Sequence, residues 1–113
     1  MTVQQLLEKA RENGKKRNYE NYLKICDGNI KETEEFIEFE KTEGTFQRAE
    51  ETAIMDSIFD VIQTIRKTSL MTEEQKEKVI NEIHQCPEYE KLTKRVVRTF
   101  TNHFVKYKDV YLR

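Results

Sequence analysis

Few side chains in this 113-residue chain could do nucleophilic or metal chemistry: Cys26, Cys86, His84, His103, Ser57 and Ser69. Hydrolase-type catalysis needs a Ser or Cys within hydrogen-bonding reach of a base that a third group orients. Ser57 falls inside a long helical pattern without the glycines of a nucleophile elbow, and Ser69 falls at a helix end. Cys86 is two residues from His84, a spacing that turns the two side chains to different sides of a helix. A zinc site would have to gather Cys26, His84, Cys86 and His103 without the short paired spacings that bring two ligands into one loop. No Glu-x-x-His pair of the di-iron bundle type occurs, and no Gly-x-Gly-x-x-Gly or Gly-Lys-Ser/Thr phosphate loop. Glu34 and Glu38 share a helix face, but it is the solvated one, where carboxylates have no sheltered cleft to shift a pKa. These residues therefore predict no catalytic group, no metal and no cofactor, with both cysteines reduced and buried.

The elements that would carry these residues are helices. Three Gly and one Pro are too few for the turns of a β protein, while 36% charged and 36% hydrophobic residues suit amphipathic helices better than disorder. The length fits one helical domain, 1–113, with a substructure of a short-helix unit over 1–44 and a longer-helix unit over 45–113. No apolar run approaches a membrane span, and the N-terminus lacks the apolar core of a signal peptide. The two cysteines lie in apolar-patterned segments and no Asn-x-Ser/Thr sequon occurs, so a cytoplasmic location is expected.

Punctuation and periodicity predict an all-α bundle of five to six helices. Gly14, Gly28 and Gly44 each follow a run of helical spacing, where a left-handed residue closes a helix. A first helix runs from Thr2, an N-cap with Gln5 three residues on, and buries Val3, Leu6, Leu7 and Ala10. A second, near 16–27, carries Tyr19, Tyr22, Leu23 and Cys26. A third, near 30–42, carries Ile30, Thr33, Phe36 and Ile37; residues 36–40 could form a short strand, but no partner strand exists. A long central helix from about 45 to 69 spreads its apolar side chains over an arc of roughly 240° at about 100° per residue, so it needs neighbours on two sides. Thr72 with Gln75 reads as a capping box opening a helix that buries Val79, Ile80 and Ile83 and stops at Cys86-Pro87. The last helix, about 88–111, aligns Tyr89, Leu92, Val96, Phe100, Phe104, Tyr107 and Tyr111 on one face.

Within the first 43 residues, Leu23-Lys24-Ile25-Cys26-Asp27-Gly28-Asn29-Ile30 is followed by Thr33 and Phe36-Ile37. This order resembles the second and third helices of a ubiquitin-associated (UBA-like) domain, where a Gly-Asn step separates two helices. The resemblance implies a three-helix module over under half of the chain and a protein-binding role. It departs at Asn13-Gly14-Lys15-Lys16-Arg17, where that family carries a Met-Gly-aromatic step in its ubiquitin contact, so ubiquitin itself is not implied.

Two surfaces could bind partners. Met55, Phe59 and Ile62 are offset from the Ile54, Ile58, Val61 and Ile65 stripe, and are covered either by the chain's own helices or by a second copy or partner. Lys91, Lys94, Arg95, Arg98 and Lys106 form a basic face on the last helix that could neutralise phosphates, although no aromatic side chain interleaves them. The 20 Lys and Arg against 21 Asp and Glu conceal an uneven spread: residues 1–44 carry net −2, residues 45–87 carry −3, and residues 88–113 carry +4. The sequence thus predicts a small non-catalytic helical protein that binds a protein partner as a regulator, adaptor or inhibitor, with homodimerisation open. The alternative is a nucleic-acid-binding regulator using the basic face.

Overall fold

The computed structural model describes residues 2–98, which are helical apart from short connections. Helix α1 spans Val3–Ile25, α2 Ile30–Glu43, α3 Thr45–Lys67 and α4 Glu73–Gln85. A fifth helical segment, α5, begins at residue 87 and continues to 98. The remainder of the helix expected to reach about 111, with Lys106 and His103, lies outside the described residues.

Most boundaries are set by the local signals in the sequence. Thr2 caps α1: its hydroxyl accepts from the Gln5 N–H at 3.2 Å, while the Thr2 N–H donates to Gln5 Oε1 at 2.9 Å. Thr72 and Gln75 repeat this reciprocal arrangement at α4, at 3.1 and 2.9 Å. At the end of α1, the Gly28 N–H reaches Leu23 O at 2.8 Å and the Asp27 N–H reaches Lys24 O at 3.1 Å. Those two bonds form a Schellman motif, and both Asp27 (φ 53°) and Gly28 (φ 81°) are left-handed. Asn29 then opens α2 by accepting from the Glu32 N–H at 3.0 Å. Gly44, at φ 80°, closes α2 and opens α3 in a single residue. Residues 36–40 are helical, so the strand reading of that segment does not hold.

Gly14 behaves differently from its expectation. It ends no helix; α1 passes through it as one element of 23 residues. The two short helices expected over residues 2–27 are therefore one, and residues 1–43 contain two helices where the ubiquitin-associated likeness implies three. Gly14 is buried because α1 packs closely on α3 there: a Cβ on Gly14 would lie 2.5 Å from Ile54 Cα. The inward line of α1 is Leu7, Ala10, Gly14, Asn18 and Tyr22, steps of three and four residues that keep one face toward α3.

The core joins this line to α3, α4 and α5. Leu7 and Ala10 meet Ile54, Met55, Ile58, Ile62 and Ile65 of α3, with Ile83 of α4 and Leu92 and Val96 of α5. The wide apolar arc of α3 is thus enclosed on more than one side by helices of the same chain. A smaller aromatic cluster sits where α1, α2 and α3 meet: the Tyr22 ring lies 5.5 Å from that of Phe36, edge to face, and 5.8 Å from that of Phe46, stacked. Lys76, 8% exposed, ties α4 to the end of α3 by donating from Nζ to Arg66 O at 3.1 Å.

Candidate functional site

The expected interface stripe does not form an exposed surface. Met55 and Ile62, each 3% exposed, belong to the core, and only Phe59, at 48%, faces solvent. The reason is the placement of α1, α4 and α5 around α3, which covers both edges of its apolar arc. On the basic face, Lys91, Lys94, Arg95 and Arg98 are all exposed, as expected. Two of them hold acidic partners: Lys94 Nζ lies 2.9 Å from Glu90 Oε1, and Arg95 Nε lies 3.2 Å from Glu51 Oε1 of α3. The Lys94 hydrogen bond and charge hold the Glu90 carboxyl below the ordinary range.

The candidate chemical groups are dispersed or occupied. Ser57 is buried, His84 packs against Tyr89 with tilted rings whose centres are 5.3 Å apart, and Cys26 and Cys86 are free thiols, half-buried where burial is expected. Among the described residues no set of three or more His, Cys, Asp and Glu side chains could hold a metal ion. None of the described helices is long and apolar enough to cross a membrane.

What the fold does assemble is a groove of about 440 Å³ between α1, α2 and α3. Arg17, Asn18, Asn21, Tyr22 and Ile25 of α1 form one wall; Arg48, Ala49, Thr52, Ala53 and Asp56 of α3 form the other, and Glu40 of α2 completes the lining. The α1 residues recur at i, i+1, i+4, i+5 and i+8, and the α3 residues at i, i+1, i+4, i+5 and i+8, so each helix offers two adjacent rows to the same cleft. Small Ala49 and Ala53 keep the floor open and apolar. Arg17 is fixed at the rim by Asp60, with Nη2 2.8 Å from Oδ2.

Two features of this groove depart from ordinary surface. Asn18 is 3% exposed, and its side-chain Nδ2 is buried with no hydrogen-bond partner. A buried amide donor left unsatisfied costs about 1–3 kcal/mol, so native proteins leave few of them. Tyr22 has its hydroxyl pushed above the ordinary value of 10.0, first by burial and then by the negative charge of Glu40. The groove therefore combines an apolar floor, an unmet donor, a desolvated phenol and charges of both signs at its rim.

Sequence reasoning did not single out Asn18 or the groove. The available signal was the spacing Leu7, Ala10, Gly14, Asn18, Tyr22, which becomes a single inward line containing one long polar residue only once α1 is read as continuous. Comparison with protein-family models, curated proteins and solved structures finds no match to this chain.

Proposed function

We propose that this protein is a non-catalytic cytoplasmic binding module, a regulator, adaptor or inhibitor, that holds a polypeptide segment of a partner protein in the groove between α1, α2 and α3. The observation that carries this reading is the unpartnered Nδ2 of Asn18 in the groove wall. A polypeptide supplies backbone carbonyl acceptors for such a donor, together with side chains for an apolar floor of Ala49 and Ala53. The torsion that turns an Asn amide is broad and roughly two-fold, so rotation about it is the movement that would present the donor to a bound acceptor. The basic face of α5 supports a nucleic-acid role less well, because Lys94 and Arg95 already have acidic neighbours. A homodimer through α3 is left with Phe59 alone of its three expected residues.

The test is a photo-crosslinking amino acid placed at Thr52, with capture from lysate and mass spectrometry. A discrete adduct that disappears when Ala49→Trp fills the groove supports the reading. An adduct pattern unchanged by Ala49→Trp, in a variant with the parent's circular dichroism, overturns it.

A further inference from the structure

We propose that α2 is a hinged lid: Ile30–Glu43 lifts away from α1 and α3 as one unit, about left-handed turns at both of its ends, while the core of α1, α3, α4 and α5 stays folded. The lid stands whatever the groove accepts, because it follows from how α2 is attached.

That attachment differs from the attachment of the other helices. Among the described residues, the main core draws on α1, α3, α4 and α5 and takes no side chain from α2. Polar side chains also bridge those four: Arg17 of α1 reaches Asp60 of α3, Lys76 of α4 donates to Arg66 O at the end of α3, and Arg95 of α5 reaches Glu51 of α3. Among the described residues, α2 has no such bridge. Its side chains bond within the helix and its caps: Thr33 Oγ1 donates to Asn29 O at 2.7 Å, Thr42 Oγ1 donates to Glu38 O at 2.9 Å, and Lys41 Nζ lies 3.4 Å from Glu38 Oε1. The hydrogen bond from Thr45 Oγ1 to Glu40 O, at 3.3 Å, spans only the Gly44 turn. What holds α2 down is therefore a small set of contacts: buried Thr33 and Ile37, the Phe36 ring against Tyr22, and the Lys41 ammonium over the Phe46 ring. Ile30 and Phe39 are exposed.

The turns permit the movement. Asp27, Gly28 and Gly44 are left-handed, and a Cβ at either glycine would meet nothing within 4 Å, so neither glycine is packed against the body. A unit with few buried side chains and no bonds to its neighbours opens at a lower free energy than the core. Opening takes Glu40 out of the groove lining and uncovers the Tyr22 and Phe46 rings, so the lid controls access to the groove from this side.

The experiment is native-state hydrogen exchange of the full chain, followed by NMR, on the parent and on Ile83→Val, which weakens the main core at a fully buried α4 residue. Expected is one shared opening equilibrium for the amides of Phe36, Ile37 and Phe39, at least about tenfold more favourable than that of Ile58 and Ile62 in α3, or about 1.4 kcal/mol. Ile83→Val should speed exchange at Ile58 and Ile62 and leave the α2 amides unchanged, because the core it weakens stays folded when the lid opens. Amides of α2 that are as protected as those of α3, and accelerated equally by Ile83→Val, would overturn the proposal, since α2 would then open only with the whole fold. Protection that falls gradually from the middle of α2 to its ends, which is fraying, would overturn it as well.

Discussion

Gly14 of α1 and Ile54 of α3 are in backbone contact: a Cβ added at Gly14 would sit 2.5 Å from Ile54 Cα and 2.7 Å from its backbone nitrogen. Because the obstructing atoms are backbone, no rotamer change relieves the clash, and the two helices must separate. That separation would propagate in both directions along the inward line, toward the Leu7 and Ala10 core on one side and toward Asn18 and Tyr22 at the groove on the other.

Gly14→Ala should therefore destabilise the fold despite alanine's better helix propensity. Overpacking of a core costs about 1–3 kcal/mol, against about 1 kcal/mol gained by replacing a mid-helix glycine. A backbone obstruction places this site at the upper end, so a net loss of about 1–2 kcal/mol is expected by urea denaturation. A variant as stable as the parent would show that α1 and α3 do not cross at this residue.

The raised Tyr22 hydroxyl makes stability fall at alkaline pH. The folded state keeps this proton at pH values where the unfolded chain has begun to lose it. The resulting stabilisation is fully present below pH 10.0, the ordinary tyrosine value, and is lost as pH rises through the higher folded value. A tyrosinate-absorbance difference titration between the parent and Tyr22→Phe should place Tyr22 above 10.0. Glu40→Gln should bring it down part of the way, leaving the shift that burial causes.

The ion pairs of Lys94 and Arg95 lead to a prediction about nucleic acid. At about 0.1 M salt, where the screening length is about 10 Å, the protein should pass through immobilised duplex DNA and RNA without retention. Arg95→Glu should change that behaviour little, while reducing stability by up to about 1 kcal/mol through repulsion from Glu51. Retention that weakens with salt and disappears in Arg95→Glu/Arg98→Glu would restore the nucleic-acid reading.

How much of this could be read in the sequence depended on whether a signal was local. Thr2 with Gln5, Thr72 with Gln75, and Gly28 and Gly44 were legible because a cap or a left-handed turn is decided by residues within one helical turn. Gly14 departs from its expected role as a terminator because glycine serves equally as a helix terminator or as a site of close helix packing. Only Ile54, forty residues away, distinguishes the two. The arc of α3 implies neighbours on two sides, but periodicity carries no information about what supplies them, so the sequence leaves open whether Met55 and Ile62 are covered by the chain's own helices or by a partner. Asn18 carries no local signal of burial, because polar residues are ordinarily at the surface and its burial follows from the geometry of three helices together.

The most direct test of the account is Asn18→Leu, measured for stability and for partner capture by the Thr52 crosslinker. If the buried Nδ2 is held in reserve for a ligand, replacing it with an apolar side chain of similar size should stabilise the isolated protein by about 1–3 kcal/mol while abolishing the captured adduct. A variant that is no more stable than the parent and still captures the same partner would contradict it.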